Sequence, residues 1–146
     1  LAQLHGDETA DYIHRLKNLC PSLPLIKAVR VQSTKQILEA EKLPCDYLLL
    51  DTWQKDSYGG SGKTFDWTLL KNLPRSKKLF MLAGGLAPEN VSNAIFFLHP
   101  DGVDVSSGVE FLEKDRPGKD PYRIQAFAEA VQFADKFTSK TLIDLK

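Results

Sequence analysis

The chain has 146 residues, of which 42% are hydrophobic and 26% are charged, and its 19 basic and 19 acidic side chains give a net charge of zero. A chain of this length can bury one core, so we expect residues 1–146 to form a single domain. The balanced charge, with no cluster of Lys and Arg among aromatic residues, argues against a nucleic-acid partner, and no apolar run approaches the roughly 18 residues of a membrane span.

The two cysteines, Cys20 and Cys45, belong to no disulfide or metal-binding motif. Unpaired cysteines suit a reducing compartment, and the first residues lack the layout of a signal peptide. We therefore expect a cytoplasmic protein without a metal or cofactor. The chain begins without Met inside an apolar stretch, so we also expect it to be part of something longer.

Short apolar runs predict five strands in chain order, with a period of about 30 residues. They cover residues 2–5, 25–31, 47–51, 80–83 and 103–106. A helical pattern follows each strand, and this alternation is typical of parallel α/β proteins. Since a (β/α)8 TIM barrel of about 250 residues spends about 30 on each unit, five βα units predict a partial barrel, five-eighths of the whole.

Apolar stripes and capping signals predict the helices. The first stripe comprises Tyr12, Ile13, Leu16 and Leu19. Ser33 with Gln36 indicates a capping box, and Pro88 and Pro121 stand where a first helical turn tolerates proline. The stripes after these prolines are Val91, Ala94, Ile95 and Leu98, then Ile124, Phe127, Ala128 and Val131.

Two consecutive strands run into loops rich in Gly and Ser. Gly84 and Gly85 follow one strand and allow the backbone to approach an anion, while Ser106, Ser107 and Gly108 follow the next and offer N–H and hydroxyl donors. Barrels that hold a phosphorylated small molecule bind it in the last two such loops. The alternative is that the glycines only permit tight turns.

Five segments together resemble phosphoribosylanthranilate isomerases of tryptophan biosynthesis, in that family's order and nearly end to end. They are residues 3–8, 49–52, 58–67, 82–91 and 103–110. The resemblance covers the family's barrel from strand four to helix eight. It implies an Amadori rearrangement, which opens an aminofuranose ring and converts an aldose amine into a ketose, with a general acid for the ring oxygen and a base for the C2 proton.

By this resemblance Asp51 is the catalytic acid, His5 lines the substrate pocket, and Asp104 reaches the ribose hydroxyls. Purely structural roles stay open for all three residues. Asp51 could cap its own loop, and His5 could be a structural residue. Asp104, which we expect to be buried, could pair with Lys27. The family's base is a cysteine after strand one. Cys45 precedes Asp51 by six residues, about 20 Å along a strand, which places it at the opposite end of the barrel. Cys20 ends the first helix before Pro21 at that same end, so we expect neither cysteine to replace the base.

The segment 59–64 invites comparison with a nucleotide P-loop, but Ser57 stands where that motif needs Gly. We instead interpret residues 58–64 as a lid and Asp66 as the cap of the next helix.

Two other functions remain open. One is another phosphate-binding barrel enzyme, such as an indole-glycerol-phosphate synthase or a pentose-phosphate epimerase. The other is a non-catalytic half-barrel that associates with another chain. Because five units leave open sheet edges, we expect the isolated chain to be inactive, and to self-associate or to bind an amino-terminal barrel fragment.

Overall fold

The computed structural model describes residues 1–51, 70, 78–113 and 115–143. The chain falls into two compact units, Leu1–Gly84 with Pro100–Val103, and Gly85–His99 with Asp104–Lys146. Each unit is described separately. Within the described ranges, no helix is both long enough and apolar enough to cross a membrane.

The first unit contains a parallel five-stranded sheet in the order β1-β2-β3-β4-β5. The strands are β1 (Ala2–Leu4), β2 (Leu25–Arg30), β3 (Tyr47–Asp51), β4 (Leu79–Ala83) and β5 (Gly102–Val103). Four of them match the predicted strands to within one residue at each end. The predicted α/β class with consecutive parallel strands is confirmed.

The fifth strand was predicted at residues 103–106 and is shorter. It pairs with β4 only at Gly102 and Val103, opposite Met81 and Leu82. Beyond Ala83 the β4 segment gives way to Gly84 and Gly85, both at positive φ, so the ladder has no regular partner strand on which to continue. Asp104 and Ser106, which the prediction included in the fifth strand, therefore lie beyond its end.

Two helices of the first unit begin at side-chain caps. In α1 (Ala10–Leu19), the Thr9 hydroxyl accepts the Tyr12 N–H at 3.3 Å. In α2 (Thr34–Glu41), Ser33 and Gln36 form the predicted capping box. The α1 stripe is only partly buried: Ile13 is fully enclosed, whereas Tyr12 and Leu19 are 52% and 80% exposed.

Both faces of the sheet carry buried apolar side chains, as in parallel sheets generally. One face holds a cluster of Ile26, Ala28, Leu49 and Ala83, against which Tyr47 and Met81 pack. The intervening residues Leu48, Leu50 and Leu82 are buried as well.

Two aspartates fasten strand starts at the amino edge of the sheet. The Asp46 N–H donates to the Leu25 carbonyl at 2.9 Å, and the Asp46 carboxylate accepts the Leu25 N–H at 2.8 Å. Asp101 forms the same two bonds with Phe80, at 2.9 and 2.8 Å. The pair at Asp46 fixes the register of β3 against β2, and the pair at Asp101 fixes the register of β5 against β4.

The second unit contains α3 (Val91–Leu98), a 3-10 turn (Ser107–Val109) and α4 (Pro121–Ile143). Pro121 opens α4 as predicted, whereas α3 begins at Val91, three residues after Pro88. The α3 stripe is confirmed, since Val91, Ala94 and Ile95 are buried. Phe96 on α3 meets Phe133 on α4 edge to face, with 6.4 Å between ring centroids.

The predicted face of α4 is partly wrong. Phe127 is buried, but Ile124 is 47% exposed and Ala128 is exposed. The buried residues Phe127 and Ala134 lie seven positions apart, so they share a helix face. Since α4 carries apolar residues at several helical spacings, periodicity alone did not select this face.

Candidate functional site

Asp51 lies at the carboxyl edge of the sheet, as predicted. It is the last residue of β3, in register with Arg30 of β2 and Ala83 of β4. Its side chain is 19% exposed. The carboxyl group therefore follows an apolar strand and is still partly accessible to solvent.

His5 follows β1 and lies beside Asp51, with its Nε2 3.9 Å from Asp51 Oδ2. The Gln3 side-chain amide lies 3.1 Å from His5 Nδ1. Because an amide NH2 group only donates, Nδ1 is the acceptor, and the proton of the neutral ring lies on Nε2. The structure thus brings two of the predicted site residues together, with an N–H facing the carboxylate.

The turn after His5 is held by a buried lysine. Lys27, 7% exposed, donates to the Gly6 carbonyl at 2.5 Å and to Glu8 at 2.9 Å. Glu8 also accepts the Gly6 N–H, and the hydrogen bond from Lys27 holds the pKa of Glu8 below its usual range. A contact between Lys27 and Asp104 was one of the alternatives left open by the sequence, and the partner of Lys27 is Glu8 instead.

Asp104 is exposed, so the expectation of a buried carboxylate that needs a partner is wrong. It lies beyond the end of β5. In the described part of the chain it makes no hydrogen bond or ion pair, which leaves its carboxylate open to solvent.

The first of the two Gly and Ser loops depends on the conformational freedom of glycine. Gly84 and Gly85 have φ of 85° and 65°. A Cβ on Gly85 would meet no atom within 4 Å, so the backbone angle, and not space, requires glycine there. Asn90 then fixes the loop, since its side chain donates to the Gly85 carbonyl at 2.9 Å and accepts the Ala87 N–H at 2.8 Å.

The second loop lies against the first within the same unit. A Cβ on Gly108 would collide with the Leu86 carbonyl oxygen, so at this position space itself requires glycine. Among the described residues, no acceptor is found for the N–H groups of Gly85, Ser107 and Gly108. Two touching loops thus present three backbone N–H groups without an acceptor in the described part of the chain, and the predicted anion site at these loops stays a prediction.

Two cations on the same unit hold the second loop. Lys119 donates to the Ser106 carbonyl and hydroxyl at 2.9 and 3.2 Å and pairs with Glu110. Arg123 donates twice to the Gly108 carbonyl and pairs with Glu89. Neither residue was predicted, because nothing in the local sequence around residues 119–123 indicates partners in distant loops.

Both cysteines are free thiols. Cys20 is exposed at the end of α1, and Cys45 is buried just before β3, at the amino edge of the sheet. Burial raises the pKa of the Cys45 thiol. The predicted lid at residues 58–64 and the predicted cap at Asp66 lie outside the described residues.

Comparison with known proteins identifies the relatives. The family model described as N-(5'-phosphoribosyl)anthranilate (PRA) isomerase matches residues 1–130. An N-(5'-phosphoribosyl)anthranilate isomerase of Lachnoclostridium phytofermentans is 47% identical over 87% of this chain and 61% of its own length. The chain thus spans about three-fifths of that relative.

Solved structures of phosphoribosylanthranilate isomerases are also similar to this chain. The phosphoribosylanthranilate isomerase of Thermotoga maritima superposes with a TM-score of 0.71 at 37% identity, over 89% of this chain and 60% of that one. A second isomerase structure, in complex with reduced 1-(o-carboxyphenylamino)-1-deoxyribulose 5-phosphate, gives a TM-score of 0.65 at 32% identity, over 89% and 58%. These matches confirm the expected barrel-type α/β fold. The chain belongs to the phosphoribosylanthranilate isomerase family.

Proposed function

We propose that this chain supplies the general acid and the phosphate-binding loops of a phosphoribosylanthranilate isomerase. The reaction is the Amadori rearrangement of N-(5'-phosphoribosyl)anthranilate to the 1-deoxyribulose phosphate in tryptophan biosynthesis. The observation that carries the proposal is the pairing of Asp51 with His5 at the carboxyl edge of the sheet, in a member of this family.

In this proposal Asp51 gives its proton to the ring oxygen as the C1–O bond of the aminofuranose breaks. The anilino nitrogen supplies the electron pair and becomes a protonated imine. A base then removes the C2 proton, and the resulting enolamine tautomerises to the ketose. His5, whose Nε2–H faces Asp51, lines the pocket and stabilises the carboxylate that the proton transfer leaves.

The phosphate is bound by Gly84, Gly85, Ser107 and Gly108 through their backbone N–H groups and by the Ser106 hydroxyl. Support comes from the positive φ of both leading glycines and from the three N–H groups without acceptors in the described structure. Asp104, exposed beyond β5, would then contact the ribose hydroxyls.

We propose further that neither cysteine is the base. A base must lie near Asp51, whereas Cys45 is at the opposite edge of the sheet, and its raised pKa disfavours the thiolate. The chain alone is therefore inactive, and residues 1–146 act as one domain of five βα units that needs an amino-terminal barrel fragment. Free thiols suit a cytoplasmic setting.

The test is an assay with N-(5'-phosphoribosyl)anthranilate, in which chromatography separates the product because it is an isomer of equal mass. The chain should convert no substrate alone. It should gain activity when mixed with an amino-terminal fragment of a family member that carries the cysteine. Activity of the unaided chain would refute the missing base, and inactivity of every mixture would refute the assigned function.

A further inference from the structure

One guanidinium joins the two loops of the proposed phosphate site. Arg123 lies in the first turn of α4, and its side chain is 16% exposed. Its Nε and Nη2 donate to the Gly108 carbonyl at 3.1 and 2.9 Å. Its Nη1 and Nη2 donate to the Glu89 carboxylate at 2.8 and 3.1 Å. Arg123 thus ties the Gly108 loop to the loop that begins at Gly85.

These contacts occupy the guanidinium. An arginine side chain has five N–H donors, and four hydrogen bonds already go to Gly108 and Glu89. The bond from Arg123 holds the pKa of Glu89 below its usual range, so the ion pair persists at neutral pH. A bidentate pair of this kind fixes orientation as well as charge.

The packing around Gly108 makes this orientation matter. Gly108 lies against the Leu86 carbonyl with no room for a Cβ, so a shift of one loop displaces the other. Arg123 donates to the carbonyl of Gly108, which belongs to the peptide plane that follows the N–H groups of Ser107 and Gly108. A contact that fixes this plane restricts how the two preceding N–H groups can turn.

We propose that Arg123, together with Glu89, is a positioning residue for phosphate: it fixes the amide donors of the two loops relative to each other and does not contact the anion. This inference rests on the phosphate site proposed above. Arg123 would thus support the site structurally, although an arginine beside an anion site would more obviously be a ligand of the anion.

The two roles predict opposite signs for one substitution. Glu89→Ala removes a negative charge and frees the guanidinium, so phosphate would bind more tightly if Arg123 acted through its charge. If Arg123 is a positioning residue, Glu89→Ala weakens phosphate binding by about tenfold, the equivalent of one well-aligned hydrogen bond to a charged group. Arg123→Lys should weaken it similarly, because an ammonium cannot reproduce the planar fork.

The experiment is an NMR titration of the full chain with inorganic phosphate, following the amides of Gly85, Ser107 and Gly108. Glu39→Ala serves as the matched control, since it removes an exposed ion pair between Glu39 on α2 and Lys42 just after that helix, and it should leave the affinity unchanged. Thermal unfolding of each variant shows whether the fold is retained.

Weaker binding by Glu89→Ala and Arg123→Lys, with the control unchanged, supports the positioning role. Unchanged or tighter binding by Glu89→Ala overturns it while leaving the phosphate site intact. A wild-type chain that shows no response in either loop overturns the phosphate site and the positioning role together. If Arg123→Lys fails to fold, the result for Glu89→Ala alone decides between the two roles. The Glu89 side chain is 64% exposed, so its removal should leave the fold intact.

Discussion

Asp51 ends a strand with its side chain 19% exposed, and the His5 N–H that faces it would stabilise the carboxylate left by the proposed proton transfer. We predict that Asp51→Asn in the complemented enzyme lowers kcat strongly while KM stays within about tenfold, because the loss falls on the transition state. Steady-state kinetics of the mixture check this. Turnover near the wild-type value in Asp51→Asn would exclude Asp51 as the acid. His5→Asn is the companion variant, which changes the neighbouring ring and keeps Asp51.

Gly85 in the first of the two proposed phosphate loops should matter more than the hydroxyl in the second. Valine at Gly85 would have to adopt a φ of 65°, at a cost of about 1–3 kcal/mol, so the loop should rearrange. Ser106→Ala removes one donor and leaves the backbone donors in place. We predict a larger loss of phosphate affinity for Gly85→Val, measured by chemical-shift titration. Equal losses would contradict a site built from backbone N–H groups.

Single residues differ in how well the sequence predicts them. Motif position singled out His5 and Asp51, and their placement at strand ends explains why they lie 3.9 Å apart, while their roles stay predictions. The partner of Lys27 could not be predicted, because an isolated charge in a strand shows that a partner is needed but not which one, and Asp104 was only one candidate. Arg123 was missed since Gly108 and Glu89 lie 15 and 34 positions away, beyond any local pattern.

The strand starts carry the clearest stability prediction at the level of elements. Asp46→Ala leaves the N–H of Leu25 without an acceptor in a fully buried residue and should cost about 1–3 kcal/mol. Asp101→Ala is the matched variant, and it should cost less because Phe80 is only half-buried and water can replace the carboxylate. Denaturant unfolding of both variants gives the comparison. A larger effect at Asp101 would contradict it.

The turn after β1 gives a pH prediction. The pKa of Glu8 is lowered in the folded state by the hydrogen bond from Lys27. Its contribution to stability is therefore present above the usual glutamate pKa, about 4.3, and is lost as the pH falls through the folded value. We predict that Glu8→Gln reduces stability at pH 7 and flattens the loss of stability below about pH 4. Unfolding curves across this range check both effects, and an unchanged acid limb would contradict the assignment.

Elements with strong local signals were predicted well. The capping box at Ser33 and the strands β2, β3 and β4 follow from residue type and burial pattern. The end of β5 was not predictable from its own sequence, because it depends on where the neighbouring strand stops. The buried face of α4 depends on which surface α3 offers, which helical periodicity does not encode.

For the molecule as a whole, the open sheet is the feature with the largest consequence. Among the described strands, β1 and β5 have neighbours on one side only, and they are the shortest. Exposed edges tend to pair with other chains. We predict that the isolated chain self-associates with rising concentration and that amides of β1 and β5 exchange faster than those of β3.

Sedimentation at several concentrations and hydrogen exchange test this directly. Addition of the amino-terminal fragment should suppress self-association and protect β1 and β5. A monomer with uniformly protected strands would contradict the open-edge argument, and protection that appears without the fragment at high concentration would identify self-pairing as the route.

The reciprocal aspartate bonds bear on how such chains can be recombined. They recur at alternate strand boundaries, joining β2 to β3 through Asp46 and β4 to β5 through Asp101, whereas at the β3–β4 boundary the Lys78 ammonium donates to the Leu43 and Cys45 carbonyls. Leu25 and Phe80 contribute only backbone atoms, so these bonds require an aspartate before β3 and before β5 but no particular side chain on the neighbouring strand. Chimeras between family members should thus tolerate a crossover within either pair as long as the incoming β3 or β5 brings its aspartate.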